Sequence, residues 1–221
     1  MNVNPKHEFL IGIGHPRCGT KYFAGLLSSS GIKVGHERVS TNGIVSWMLV
    51  SERSNFPWGE SLHNFRSYQD ITLVARSPLS AMLSVMRENE LRRSFGWRSS
   101  VIYEKTGVDI LCESVVPQTQ IGFAVASLTL WFELCMASNP NYRFRVDVPE
   151  DLEELSARLG REFPDPSSVN RNSRSEQYGN DTFSPEMLSD IPRSWSSRFA
   201  EMAFNLGYEQ DANTIIKFSE K

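Results

Sequence analysis

Short apolar runs alternate with longer amphipathic segments along the chain. Four runs predict strands, because each is short, rich in β-branched or aromatic residues and bounded by turn residues; they are 9–14, 32–37, 71–76 and 142–147. Helical spacing predicts helices that begin after Gly19, at 78 with Ser77 as the N-cap, and over 121–137, 149–160 and 194–208. The apolar segment 43–50 fits either class, and we assign it to a helix.

This alternation predicts an α/β fold, a three-layer sandwich with a mainly parallel central sheet, in a single domain over residues 1–221. The segment 88–120 has no regular pattern, so we expect a lid or an acceptor-binding loop there. Ligands of such folds bind beyond the carboxyl ends of the strands. The loop 14–21, His36 with Glu37, and Arg76 all fall at predicted strand ends.

Composition narrows the function classes. The net charge of −3 gives no indication of nucleic-acid or membrane binding. Three cysteines without paired spacing argue against a disulfide framework or a cysteine zinc site. The start of the chain has no apolar signal segment and the run 121–137 is short and interrupted, so we expect a soluble, cytoplasmic protein. Arginine supplies 17 of the 23 basic residues, which fits anion binding or, equally, codon bias.

The most informative stretch is "GHPRCGTK", which begins at Gly14 and ends at Lys21. A turn of small residues that leads into a helix directs several backbone N–H groups at one point, and the helix dipole adds positive potential. Arg17 and Lys21 add charge, so the stretch predicts a phosphate-binding loop. The alternative is a tight strand–helix turn without a ligand.

A nucleotide triphosphate would need a different set of residues. Its loop reads G-x-x-x-x-G-K-[ST], whereas here Thr20 precedes Lys21. It also needs Mg²⁺, usually held by that Ser or Thr and by an Asp at a strand end. The third predicted strand ends in Arg76, and Asp147 after the fourth stands alone. A Mg-ATP-dependent kinase or NTPase therefore stays open only as an alternative.

Two stretches together resemble the sulfotransferases that use 3′-phosphoadenosine 5′-phosphosulfate (PAPS). "GHPRCGT" resembles their "PKSGT" or "PRSGT" loop, and "RSPLSAMLS" matches their second motif, an Arg at a strand end followed eight residues later by a Ser, here Arg76 and Ser84. The stretches "YRFRVDVPEDLEELSARLG" and "W…FAEMAFNLGY" are similar to later parts of the family. The family's late Gly-x-x-Gly-x-x-Lys loop is not evident, and Cys18 replaces its usual Ser.

The resemblance implies the P-loop-like sulfotransferase fold and a sulfuryl transfer from PAPS without a metal. It assigns the 5′-phosphosulfate to the loop, with Arg17 at the sulfuryl oxygens; the loop residues are Pro16, Arg17, Cys18, Gly19, Thr20 and Lys21. It assigns the 3′-phosphate to Arg76 and Ser84. Arg171 and Arg174 are candidates for a late donor-binding loop. An electropositive loop can lower a thiol pKa, but a nucleophilic Cys18 has no counterpart in the family.

The family's base is a Glu at about the distance that separates Glu37 from Arg17, which is 20 residues. We expect Glu37 to take the acceptor's proton, with His36 as the second choice. Alternatively, His36 bonds to the loop and Glu37 pairs with an arginine. The acceptor is a small molecule, a glycan or a peptide with a hydroxyl or amine. A non-catalytic domain that binds an anion or a partner protein also remains open.

Overall fold

A five-stranded parallel sheet forms the centre of the fold. The computed structural model describes residues 9–53, 60, 62, 64–90, 93–164 and 183–219. The strands are β1 (Leu10–Gly14), β2 (Val34–His36), β3 (Gly43–Val45), β4 (Ile71–Ala75) and β5 (Tyr142–Arg145). Their order in the sheet is β2-β3-β1-β4-β5, and every neighbouring pair is parallel.

Helices cover both faces of this sheet. They are α1 (Thr20–Ser29), α2 (Pro78–Glu90), α3 (Arg93–Thr106), α4 (Gln120–Met136), α5 (Pro149–Leu159), α6 (Arg193–Asn205) and α7 (Glu209–Ser219). Short 3₁₀ helices lie at Trp47–Ser51, Phe65–Ser67 and Pro185–Asp190. Within the part of the chain that the structure describes, no helix is long and apolar enough to cross a membrane.

Two hydrophobic clusters form the layers between sheet and helices. Because side chains alternate along a strand, Ile11 and Ile13 of β1 pack in the larger cluster, with α2, α3, α4, α6 and α7. Leu10 packs in the smaller cluster, with α1 and α5. The predicted α/β class with a parallel sheet between two helical layers is confirmed.

Two sequence predictions about the fold are wrong in part. The segment 43–50 is helical only in its second half, where a 3₁₀ helix begins at Trp47; Gly43–Val45 forms β3, because these buried residues pair with β1 on one side and β2 on the other. The segment 88–120 is not irregular throughout, since α3 occupies Arg93–Thr106. Arg98 obscured that helix, because it is fully buried on the same side as Val101 and Ile102 and breaks the apolar pattern.

The order of the strands creates a crevice between β1 and β4. From β1 the chain passes to β2 on one side of the sheet, and from β4 it passes to β5 on the other. Connections that leave neighbouring strands in opposite directions open a crevice at their carboxyl ends, where ligands of α/β proteins bind. The loop from Gly14 to Thr20 and the turn at Arg76 and Ser77 flank this crevice.

The close approach of β1 and β4 requires a glycine at position 14. A Cβ at Gly14 would lie 2.4 Å from the Val74 carbonyl oxygen, a backbone atom that cannot move without disturbing β4. We expect Gly14→Ala to lower the free energy of unfolding by about 1–3 kcal/mol in urea titrations. Gly96→Ala is the matched control: it lies in α3 with no atom within 4 Å of the added Cβ, so it should raise stability by about 0.5–1 kcal/mol. Equal effects of the two substitutions would contradict this account.

Candidate functional site

The loop between β1 and α1 turns its carbonyl groups into the protein. The Gly14 oxygen accepts a 3.0 Å hydrogen bond from the Trp131 indole N–H. The His15 oxygen accepts from the Cys18 amide at 3.1 Å, and the Pro16 oxygen accepts from His15 Nδ1 at 2.5 Å. The oxygens of three successive peptide groups are therefore engaged by donors of the protein, two of which are buried side chains.

Helix α1 begins at this loop without a capping side chain. Its N-cap is Gly19, with φ of 97°, which has no side chain to accept a hydrogen bond from the first-turn amides. A Cβ at Gly19 would lie 2.5 Å from Val146 Cγ1, so the position needs glycine for space and for backbone conformation. Arg17 also has a positive φ, of 74°. The first-turn amides of α1 thus lie at the end of an uncapped helix dipole, which favours an anion.

The two motifs that carried the resemblance meet in the crevice. Arg17 Nε donates a 2.8 Å hydrogen bond to Ser84 Oγ of α2, across 67 residues of sequence. Arg76 lies close enough to the loop for its charge to act on the Cys18 thiol. The structure therefore brings Arg17, Arg76 and Ser84 to the same crevice, but the contact it shows for Ser84 is with Arg17, whereas the sequence had paired Ser84 with Arg76.

The side chain of Cys18 is buried under the loop to which the residue belongs, and its thiol is protonated. It is fully buried, and burial raises its pKa to about 12 although the charges of Arg76, Arg98 and Arg17 act to lower it. A lowered pKa in an electropositive loop is therefore wrong for this residue. Its amide, which donates to His15, contributes to the shape of the turn.

The candidate bases lie together beside the start of α1. His36 Nε2 is 3.4 Å from Thr20 Oγ1 and 3.8 Å from Glu37 Oε1. Glu37 Oε1 accepts a 2.8 Å hydrogen bond from the Trp47 indole N–H, and Glu37 has a φ of 60°. Burial lowers the pKa of His36; the Glu37 charge opposes this and the Lys21 charge adds to it. Burial therefore favours the neutral form of the imidazole.

The alternative from the sequence was that His36 bonds to the loop and that Glu37 pairs with an arginine. His36 does contact Thr20, the first residue of α1, but Glu37 accepts its side-chain hydrogen bond from the Trp47 indole. The Lys21 side chain is exposed at the same end of the helix. Arg171 and Arg174, with the polar loop that contains them, lie outside the described residues.

Asp147 is the aspartate that a Mg-ATP-dependent kinase would need as a metal ligand. In this structure its carboxylate accepts hydrogen bonds from other residues of the chain. Its Oδ2 accepts from the Ser77 amide at 3.0 Å and its Oδ1 from the Tyr208 hydroxyl at 2.6 Å. Burial, followed by the hydrogen bond to Asp147, raises the pKa of Tyr208, which keeps its proton. Asp211 of α7 accepts from the Ser77 hydroxyl and the Leu79 amide, at 2.7 and 3.0 Å. The N-terminus of α2 is therefore held by carboxylates of the protein.

A buried polar network beneath the loop was missed by sequence reasoning. Arg98 is fully buried and donates to Glu88, Asn89 and Ser127. Ser127 Oγ is 3.0 Å from His15 Nε2, so the network reaches the loop. The only signal in the sequence was an arginine within an otherwise apolar helical face.

An aromatic cluster extends from the candidate base into the core. The Trp47 ring lies 5.3 Å from Trp97 and 5.8 Å from Trp131 between centroids. The Arg98 guanidinium lies 5.7 Å from the Trp47 ring centre. Trp47 bonds to Glu37 and Trp131 bonds to Gly14, so the contact between these two rings connects the Glu37 side of the site with the loop.

Comparison of the chain with models of protein families, with curated proteins and with solved structures found no match. The geometry of the crevice is therefore the basis for a functional proposal.

The buried imidazole predicts that stability falls in mild acid. Burial, with the Arg98 charge, lowers the pKa of His15 well below its usual value of about 6.5. Below about pH 6.5 the unfolded chain binds a proton at this residue that the folded protein excludes, so the free energy of unfolding falls by up to about 1.4 kcal/mol per pH unit. His36 acts in the same direction.

Urea titrations at pH 7.5 and 5.5 measure this effect, and His15→Asn isolates it because asparagine does not titrate. We expect a clearly smaller loss of stability in the variant than in the wild-type protein. An equal loss in both proteins would refute the assignment of a depressed pKa to His15.

Proposed function

We propose that this protein is a PAPS-dependent sulfotransferase of the P-loop-like sulfotransferase fold, acting on a hydroxyl or amine of a small molecule, glycan or peptide. The observation that carries the proposal is the contact of Arg17 with Ser84. Either motif alone is a weak indication, but two motifs 67 residues apart that meet at the switch point of the sheet form one anion site.

The residues at the crevice fit a donor with two separate anionic groups. The uncapped first turn of α1, with Arg17 and Lys21, suits the 5′-phosphosulfate. Arg76 and Ser84 suit the 3′-phosphate, because Ser84 follows Arg76 by about two helical turns and both can reach one group. When bound, PAPS supplies an activated sulfuryl group. Arg17 and the amides of Gly19, Thr20 and Lys21 would bind and orient it and stabilise charge on the transferred oxygens.

Glu37 is the proposed base for the acceptor. Its side chain is 23% exposed, and the Trp47 indole fixes one carboxylate oxygen while the other can accept the acceptor's proton. Neutral His36, between Thr20 and Glu37, is the alternative base or a relay for that proton. General-base assistance of this kind typically contributes about 10²–10⁴ to a rate.

The engagement of Asp147 favours this proposal over a Mg-ATP-dependent kinase. Both of its carboxylate oxygens accept hydrogen bonds, from Ser77 and Tyr208. A metal ion bound at Asp147 would therefore have to share its carboxylate oxygens with these two donors. A non-catalytic anion-binding domain is distinguished by the second experiment below.

Calorimetric titration with adenosine 3′,5′-bisphosphate, the desulfated donor, tests the donor site. We expect binding without Mg²⁺, weakened by about 10- to 100-fold in Arg76→Ala through loss of a charge-assisted hydrogen bond. Arg161→Ala is the control, because Arg161 is exposed beyond the end of α5, at the edge of the sheet away from the crevice. Binding of Mg-ATP but not of the bisphosphate would refute the proposal in favour of a kinase.

Transfer of radiolabelled sulfuryl groups to a panel of acceptors tests the base. Glu37→Gln should lower turnover by about 10²–10⁴ and leave bisphosphate affinity unchanged, because glutamine keeps the shape but cannot take the proton. Glu60→Gln is the control: this exposed carboxylate bonds to the Val39 amide beside the site. Unchanged turnover in Glu37→Gln would exclude Glu37 as the base, and bisphosphate binding with no transfer to any acceptor would favour a non-catalytic domain.

A further inference from the structure

His15 is fully buried at the start of the proposed donor loop, where it cannot touch a substrate. Its two ring nitrogens have different partners: Nδ1 lies 2.5 Å from the Pro16 oxygen, and Nε2 lies 3.0 Å from Ser127 Oγ. A carbonyl oxygen can only accept, so Nδ1 carries the proton. Nε2 of the neutral ring then accepts from the Ser127 hydroxyl.

Arg98 fixes the direction of this chain of hydrogen bonds. Its Nε donates to Ser127 Oγ at 3.2 Å. Because an arginine N–H can only donate, the serine hydroxyl turns its own hydrogen towards His15. Glu88 and Asn89 hold the guanidinium from the other side, at 2.6 to 3.1 Å. The protein thus selects one tautomer of His15.

This tautomer determines how the next peptide group is oriented. No cis peptide bond occurs in the described residues, and in a trans peptide the C=O and the following N–H point in opposite directions. When the Pro16 oxygen points to the buried imidazole, the Arg17 N–H points away from it. The positive φ of Arg17 fits this rotated peptide.

We propose that His15 is a positioning residue that turns the Pro16–Arg17 peptide so that the Arg17 amide faces the donor's phosphosulfate, with Ser127 and Arg98 fixing the His15 tautomer. This inference rests on the proposed function for the identity of the anion. It gives the loop one more backbone donor beside the first turn of α1.

Two neutral amide substitutions separate the hydrogen bonds of His15. The side-chain nitrogen of asparagine lies as many bonds from Cα as Nδ1, so His15→Asn can still donate to the Pro16 oxygen. The amide of glutamine reaches the position of Nε2, so His15→Gln can still contact Ser127 but loses the bond to Pro16. The pair is matched in charge and differs in which partner is retained.

The test measures affinity for adenosine 3′,5′-bisphosphate by calorimetry in the wild-type protein and both variants. We expect His15→Gln to weaken binding by about 10- to 100-fold, the effect of a lost hydrogen bond to a charged group. We expect His15→Asn to retain most of the wild-type affinity. Melting temperatures of both variants show whether a loss of affinity merely follows a loss of stability. Equal weakening in both variants, or none in His15→Gln, would overturn the proposal. If His15 only filled space in the core, the two substitutions would affect bisphosphate binding alike.

Nitrogen-15 chemical shifts of the His15 ring, recorded without ligand, test the tautomer separately. Protonated Nδ1 with unprotonated Nε2 at pH 7 is expected, and the reverse would overturn the proposal whatever binds. If the wild-type protein does not bind the bisphosphate, the proposed function fails first, and the role of His15 towards a phosphosulfate fails with it. The ring shifts then still report whether Nδ1 carries the proton that the bond to the Pro16 oxygen requires.

Discussion

The hydrogen bonds that the Gly14 and Pro16 carbonyl groups accept from buried side chains are the constraint on which the candidate site depends. A carbonyl oxygen that faced the crevice would repel an anion, whereas the same peptide turned over offers an N–H. Two of the stabilising groups, Trp131 and Ser127, lie on α4, far from the loop in sequence. The packing of the most apolar helix across β1 therefore determines the electrostatic character of the loop, and the core and the candidate site cannot be separated.

A buried arginine beneath the proposed anion site has a cost in free energy that the surrounding residues offset. Removing a guanidinium from water costs several kcal/mol unless its donors are satisfied. Glu88, Asn89 and Ser127 satisfy those of Arg98, and the Trp47 ring lies 5.7 Å away. Through Ser127 the guanidinium reaches the loop between β1 and α1, and it also adjoins Trp47, which holds Glu37. One buried charge thus connects the two sides of the proposed reaction.

Local patterns were sufficient for four of the five strands in the described residues and for the motifs, but not for the contacts between them. The sequence predicted the loop, Arg76 at a strand end with Ser84 on the next helix, and His36 with Glu37 at another strand end, because each is encoded within a few residues. It assigned 43–50 to a helix, because only pairing with β1 and β2 makes Gly43–Val45 a strand. It missed α3 and the Arg98 network for one reason: a buried charge looks like an exposed one until its partners from other helices are known.

The backbone at Arg17 and Glu37 supports a functional reading of both residues more than their chemistry alone does. Each has a positive φ, of 74° and 60°, a conformation that costs a side-chain-bearing residue roughly 1 kcal/mol or more. Glu52, Asn64 and Asn139 share this conformation, so positive φ is not sufficient. Arg17 and Glu37 differ from them because they follow the carboxyl ends of β1 and β2, where ligands of α/β proteins bind. Glycine would relieve the strain at either position, but it would remove the cation or the carboxylate, so the strain is explained if those side chains are needed.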